Sequence, residues 1–186
     1  MPITRPPFPI FALTLDEEKP VESSSSRVMY VRRPFSVSSP FQLFVHTSPS
    51  FGKRLDGGDI DRRSQVIRLE DDDPDTFLAL VMSVHPIVRY RVTDATVVEL
   101  SIMADKYEVV QTLDACEKRL LSPFCDVTFG VKMLLADRVV AFKRLRTHCL
   151  QHAKDAMAMR VLKESPEWEL LSAKTRRELL ENFVVS

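Results

Sequence analysis

The feature that most limits what this chain can fold into is a phrase that it uses twice. "IMADKYEVVQTL" at 102–113 realigns with "LLADRVVAFKRL" at 134–145, an offset of 32 residues, which brings Ala104-Asp105-Lys106 onto Ala136-Asp137-Arg138 and Leu113 onto Leu145. In each copy one helix is expected to end near the Ala-Asp pair and another to begin within a few residues. The first copy opens with a T-x-x-E pattern, Thr96 to Glu99, the signature of a capping box. Its second helix sets Val109, Leu113, Cys116 and Leu120 on one stripe at helical spacing. Two copies are too few for a solenoid, so the pattern predicts two helical hairpins packed in series. A last helix near 173–184 follows, with Ser172 as its cap, Leu179, Leu180 and Phe183 on it, and Trp168 anchoring the junction.

Ahead of the repeat the pattern is different. Residues 1–27 hold Pro2, Pro6, Pro7, Pro9 and Pro20 and the tract "ESSSS", a composition expected to be flexible. From 28 onward "RVMYV", "FSV" and "FQLFVH" alternate apolar with polar residues and are rich in Val, Tyr and Phe, which predicts strands, with Phe41, Leu43 and Val45 on one side. "QVIRLED" reads as a further short strand. It runs into four consecutive acidic residues, Glu70 to Asp73, then Pro74 and an apolar run.

The acidic run poses a choice between chemistry and punctuation. A helix N-terminus exposes unpaired N–H groups and a partial positive charge, so carboxylates gather there. Aspartate suits the cap and proline the first helical position. "DDPDTF" thus predicts a helix capped by Asp73, with Pro74 first and with Phe77, Leu80, Val81 and Val84 on its buried face. A calcium loop spaces its carboxylates differently and needs a glycine that is missing here. The run is punctuation.

Composition removes several classes of function. With 26 basic and 26 acidic residues, the chain has no broad attraction to nucleic acid or to an anionic membrane. Only four glycines occur, which leaves no material for a Gly-rich phosphate loop. Three cysteines, Cys116, Cys125 and Cys149, form an odd set without C-x-x-C spacing and point to reduced thiols rather than a secreted disulfide framework. "FPIFALTL" contains a proline and lacks a cleavage site, so no signal peptide is expected, and no stretch has the length of a membrane span. A cytoplasmic or nuclear location follows by elimination. His148 and His152 lie at i and i+4 with Cys149 between them, yet a zinc site needs further ligands. No nucleophile elbow accompanies the scattered Ser, His and Asp residues. No catalytic, cofactor-binding or metal-binding residues are assigned, and an enzyme is not expected.

The order "FQLFVH", "SPSF", "IRLEDDDPDTFLALVMSVHP", "VTDATVVELSIMADKYEVVQTLDACEKRLL" resembles a BTB/POZ domain, with "ADKY…L…CE..L" at 104–120 its most specific phrase. "LLADR", "LRTHCL", "LKESPEWELLS" and "KTRRELL" resemble the helical tail of nematode-type BTB proteins. The likeness runs from about residue 28 to 184 by motif order. It implies an α+β BTB/POZ fold over 28–122, short strands with a helical cluster, and a helical extension over 123–186. It also implies a protein-interaction module that forms BTB homo- or heterodimers and recruits a cullin-3 ubiquitin ligase, or else a scaffold that pairs with other BTB chains without cullin. The binding residues it suggests are Ile60, Asp61, His85, Pro86 and Tyr107. No MATH, Kelch or zinc-finger pattern is read in these residues, so substrate recruitment is expected to fall to the N-terminal segment or the tail. Two positions depart from the family: only Thr47 separates Val45-His46 from Ser48-Pro49, where the family has most of a dimer-interface helix, and Arg62 stands where cullin-binding members carry an acidic residue.

Overall fold

The computed structural model describes residues 29–32, 44, 46–56, 60–61, 66–69, 72–85 and 90–184. The Pro/Ser-rich segment 1–27, the strand expected at 35–37 and Pro86 fall outside them. Three short strands, β1 (Met29–Arg32), β2 (Ile60–Asp61) and β3 (Val66–Leu69), form an antiparallel sheet in the order β1-β3-β2. Met29 pairs with Leu69, and Ile60 with Ile67. The helices are α1 (Pro49–Asp56), α2 (Pro74–Ser83), α3 (Val97–Lys106), α4 (Val110–Leu120), α5 (Phe129–Arg138), α6 (Lys143–His152), α7 (Ala156–Glu164), α8 (Glu167–Leu170) and α9 (Ala173–Val184).

The α+β expectation is corrected. Of the residues whose side chains are placed, 71% are helical and none lies in a strand, so the protein is helical. The ladder remains as a backbone feature whose main contacts are among its own strands. The expected strand "FQLFVH" is the clearest reversal, because Phe44, His46 and Thr47 have helical backbone and α1 follows directly. Phe44 is fully buried, edge-to-face against Phe51, Phe77 and Tyr107. That aromatic contact overrides a local alternation suited to a strand.

Helix α2 is built as its sequence dictates. Asp73 has extended backbone, its Oδ2 accepts from the Thr76 N–H at 2.9 Å, and Pro74 opens the helix. Phe77, Leu80, Val81 and Val84 are all buried. The Thr96–Glu99 capping box does not form. Thr96 has helical backbone, with φ −112° and ψ −15°, whereas a cap needs extended backbone. Its hydroxyl instead accepts from the Thr93 N–H.

The repeat is real in three dimensions. Helices α3 and α4 form one hairpin and α5 and α6 another, and they stack with α3 against α5 and α4 against α6. The first turn is a Schellman motif: the Val109 N–H donates to the Ala104 carbonyl and the Glu108 N–H to the Asp105 carbonyl. Glu108 occupies the left-handed position, φ 55°, where glycine is usual. The two hairpins share a core that runs through Val109, Leu113, Cys116, Leu120, Leu145 and Cys149, all buried. This core continues without a break across the 122–123 boundary.

Two carboxylates cap helices other than their own. Glu117 on α4, buried, accepts from the N–H groups of Arg144 and Leu145 at the start of α6, at 2.9 and 3.0 Å. Asp137 on α5 accepts from the Ser172 N–H and hydroxyl and from Thr175, fixing the start of α9, where the Ser172 hydroxyl also accepts from the Thr175 N–H. Helix α5 approaches α8 closely at Gly130, where an added Cβ would stand 2.6 Å from the Glu167 carboxylate, a contact that the flexible end of that side chain can relieve by moving.

Candidate interaction surface

The described positions among the suggested binding residues lie on different elements. Ile60 and Asp61 form β2, hydrogen-bonded along β3 opposite Ile67 and Val66. His85 is half-buried just past the end of α2, and its N–H donates to the Met82 carbonyl at 3.2 Å. Tyr107 is only 1% exposed. In this chain it is a core joint. The Tyr107 hydroxyl donates to Asp72 Oδ2 at 2.5 Å, its carbonyl accepts from the Ser48 hydroxyl, and its ring meets Phe44, Phe51 and Phe77 edge-on. Each polar atom of this tyrosine has a buried partner, and each apolar edge has a ring against it.

Asp72 is what the sequence reading missed. It lies one residue before the cap, is 6% exposed, and takes Lys106 Nζ on Oδ1 at 2.7 Å together with the Tyr107 hydroxyl on Oδ2. The acidic run therefore holds a cap and, beside it, a buried anchor that pins the α2 entry to the end of α3. Neighbours in sequence serve different elements, and only the pairing of Asp72 with Lys106-Tyr107 some 34 residues on separates the two roles.

The surface available to partners is apolar in places. Phe124 is 81% and Val140 82% exposed, and Met157 and Val161 project from the same side of α7, one turn apart. Phe124 sits on a clamped loop. Arg119 donates to both oxygens of Asp94 and to the Phe124 carbonyl, and the Asp126 N–H reaches Asp94 Oδ2. Those bonds from Arg119 hold the Asp94 carboxyl well below the usual aspartate range.

Burial pushes the Cys116 thiol up to about 11 and the Cys149 thiol up to about 12, so neither supplies a thiolate nucleophile at neutral pH. The His148 and His152 rings stack 6.5 Å apart at the exposed end of α6, with His152 edge-on to Phe129. Among the described residues no group of three or more His, Cys, Asp or Glu is placed to hold a metal ion. No helix among them is long and apolar enough to cross a membrane.

Comparison with known proteins gives one partial likeness to report. The chain is 28% identical over 124 residues to "BTB and MATH domain-containing protein 38" of Caenorhabditis elegans. The match covers 67% of this chain and 31% of that protein, so the chain spans about a third of the relative's length. No protein-family model matches, and no solved structure matches. At this level the chain is similar to a BTB-containing protein.

Proposed function

We propose that this chain is a non-enzymatic protein-interaction module related to BTB proteins. The single observation that carries the reading is the likeness to the BTB- and MATH-containing nematode protein over two thirds of the chain. Solvent-facing apolar side chains on a clamped loop and on α7 support it, because exposed apolar groups held in place are what partner proteins bury.

Within this reading the module is an adaptor for a cullin-3 ubiquitin ligase, working in the cytoplasm or nucleus and contacting its ligase through the surface around Ile60, Asp61, His85 and Pro86. The second reading is a scaffold that pairs with other BTB chains and binds no cullin. It is favoured by Arg62, which places a positive charge where cullin-binding members carry an acidic residue. The test is titration of the purified chain with the cullin-3 N-terminal region by calorimetry, alone and with a BTB partner chain added, alongside light scattering at micromolar concentration. Saturable binding supports the adaptor. Oligomerisation with no cullin binding in either arrangement moves the assignment to the scaffold, and a monomer that binds neither overturns both.

A further inference from the structure

Beyond the ligase question lies an open groove of about 650 Å³ between the α5–α6 turn and α9. Its walls include Val140, Lys143, Arg146, Lys174, Arg177 and Glu181. Two features set it apart from an ordinary furrow. Val140, at the tip of the second hairpin, is 82% exposed, the most exposed of the large apolar side chains described. It stands beside four cations, Lys143, Arg146, Lys174 and Arg177. Arg146 is satisfied by Thr175 and Glu178. Lys143, Lys174 and Arg177 are exposed and make no ion pair among the described residues, while the lining acids are Asp137, held by Ser172, Thr175 and Arg146, Glu178, paired with Arg146, and Glu181.

We propose that this groove is a docking site for an acidic peptide segment of another protein, one that alternates carboxylates with aliphatic side chains. The argument is charge complementarity around an apolar contact. Four lining cations against three lining acids leave the groove one positive charge in excess, carried by exposed side chains, in a chain whose total charge is zero. Such an excess steers an anionic partner and favours it over a cationic one. Val140 supplies the apolar contact that a phosphate or a sulfated polymer has no use for. The groove's size lies within the range of sites that bury a small ligand. Its walls are firm, because Asp137 ties α9 to α5 through Ser172 and Thr175, and Glu117 fixes the start of α6. A firm groove loses little freedom on binding. This inference does not rest on the cullin reading, and the outcome of the cullin titration leaves it standing or falling on its own.

The test uses the full chain and fluorescence anisotropy with a labelled peptide of about ten residues alternating glutamate and leucine; the same peptide with lysine for glutamate is the control. The glutamate peptide is expected to bind saturably and to weaken as salt is raised. Lys174→Glu with Arg177→Glu should weaken it by about tenfold. Val140→Ser should weaken it about threefold while leaving the salt dependence as it was. All three positions are exposed, so unchanged melting temperatures separate lost binding from lost folding. Equal binding of the lysine peptide, or charge reversal without effect, overturns the proposal. So does tighter binding of a single-stranded RNA of equal charge, which would make the groove a general anion site.

Discussion

The two hairpins began from one pattern and diverge at their turns. Between α3 and α4 three residues, 107–109, make the connection; between α5 and α6 there are four, 139–142. The shorter turn needs a left-handed residue, and Glu108 takes that conformation. The longer turn closes without one, with Val139 extended at the end of α5. One extra residue shifts everything after it. Before the turn the copies match at an offset of 32, Ala104 with Ala136; beyond it, counting from the helix starts, Val109 corresponds to Phe142 and Cys116 to Cys149, an offset of 33. Leu145 thereby takes the position that in the first hairpin belongs to Thr112, which is buried and hydrogen-bonded to the Ser83 hydroxyl at 2.6 Å. The same inward position is apolar in one hairpin and polar in the other because only the first hairpin has α2 beside it to supply a partner.

The sharpest way to break this comparison is to empty the core on each side. Leu145 is fully buried and Leu113 is 6% exposed. Leu145→Ala should destabilise by about 2–5 kcal/mol, with Leu113→Ala at the lower part of that range. Urea denaturation measures both. A loss below about half a kcal/mol at Leu145 would show that the second hairpin is not packed as described.

The next effect concerns Glu117, which joins the hairpins. Glu117→Ala leaves the Arg144 and Leu145 N–H groups without their acceptor and should cost about 1–3 kcal/mol. Glu117→Gln keeps an acceptor oxygen and should recover most of it. Equal losses in the two variants would mean that the negative charge, rather than the hydrogen bonds, carries the contact.

How much of this was legible beforehand varied with the range of the interaction. Asp73 and Pro74 announced α2 because capping is decided within one turn. The stripe from Val109 to Leu120 was legible because helical spacing is local too. Thr96 and Thr128 show where reading stops. Both precede a helix and lie 32 residues apart, yet Thr128 is extended and accepts from the Val131 N–H, while Thr96 is helical and turns its hydroxyl to Thr93. The backbone of the preceding turn decides, and residue type does not record it. Phe44 was illegible for a different reason. The alternation that favoured a strand set Phe41, Leu43 and Val45 on one side, whereas the aromatic cluster with Phe77 and Tyr107 claims Phe44. Asp72 was missed, and Tyr107 was read as a partner contact, because the partners that explain their burial, Lys106 for the one and Ser48 and the aromatic cluster for the other, lie far away in sequence.

The turns themselves offer a smaller test. A non-glycine residue in the left-handed region costs roughly 1–2 kcal/mol, so Glu108→Gly should raise stability by about 1 kcal/mol after the entropy glycine loses on folding. In the second turn, where no described residue other than glycine has positive φ, Val140→Gly has no such strain to relieve and should be neutral or slightly destabilising. Equal responses at the two turns would remove the distinction drawn between them.

The smallest effect is also the most diagnostic, because the repeat places two aspartates in matching positions with opposite behaviour. Asp105 is pushed above its ordinary value of 3.8, first by burial and then by the nearby Glu108 charge. Asp137 also feels burial, but hydrogen bonds from Thr175 and Ser172 and the Arg146 charge outweigh it and hold the group below 3.8. The linkage signs follow. A lowered folded value means the unfolded chain binds more protons, so the stability Asp137 contributes is present above 3.8 and is lost as pH falls through its folded value. A raised folded value means the reverse, so stability tied to Asp105 is present below 3.8 and is lost as pH rises through its folded value. Replacement by asparagine should separate them. At pH 6 Asp137→Asn should be less stable than the unmodified chain and Asp105→Asn equal or more stable, each by about 1 kcal/mol or less because both groups keep contact with water. As the pH is lowered past 3.8 both differences should close, from opposite sides, since the native aspartates then become neutral like their replacements. Urea midpoints between about pH 2.5 and 6 provide the measurement. Differences of the same sign at pH 6 would show that the two copies share one electrostatic environment after all, and that the one-residue change in the turn stops at the backbone.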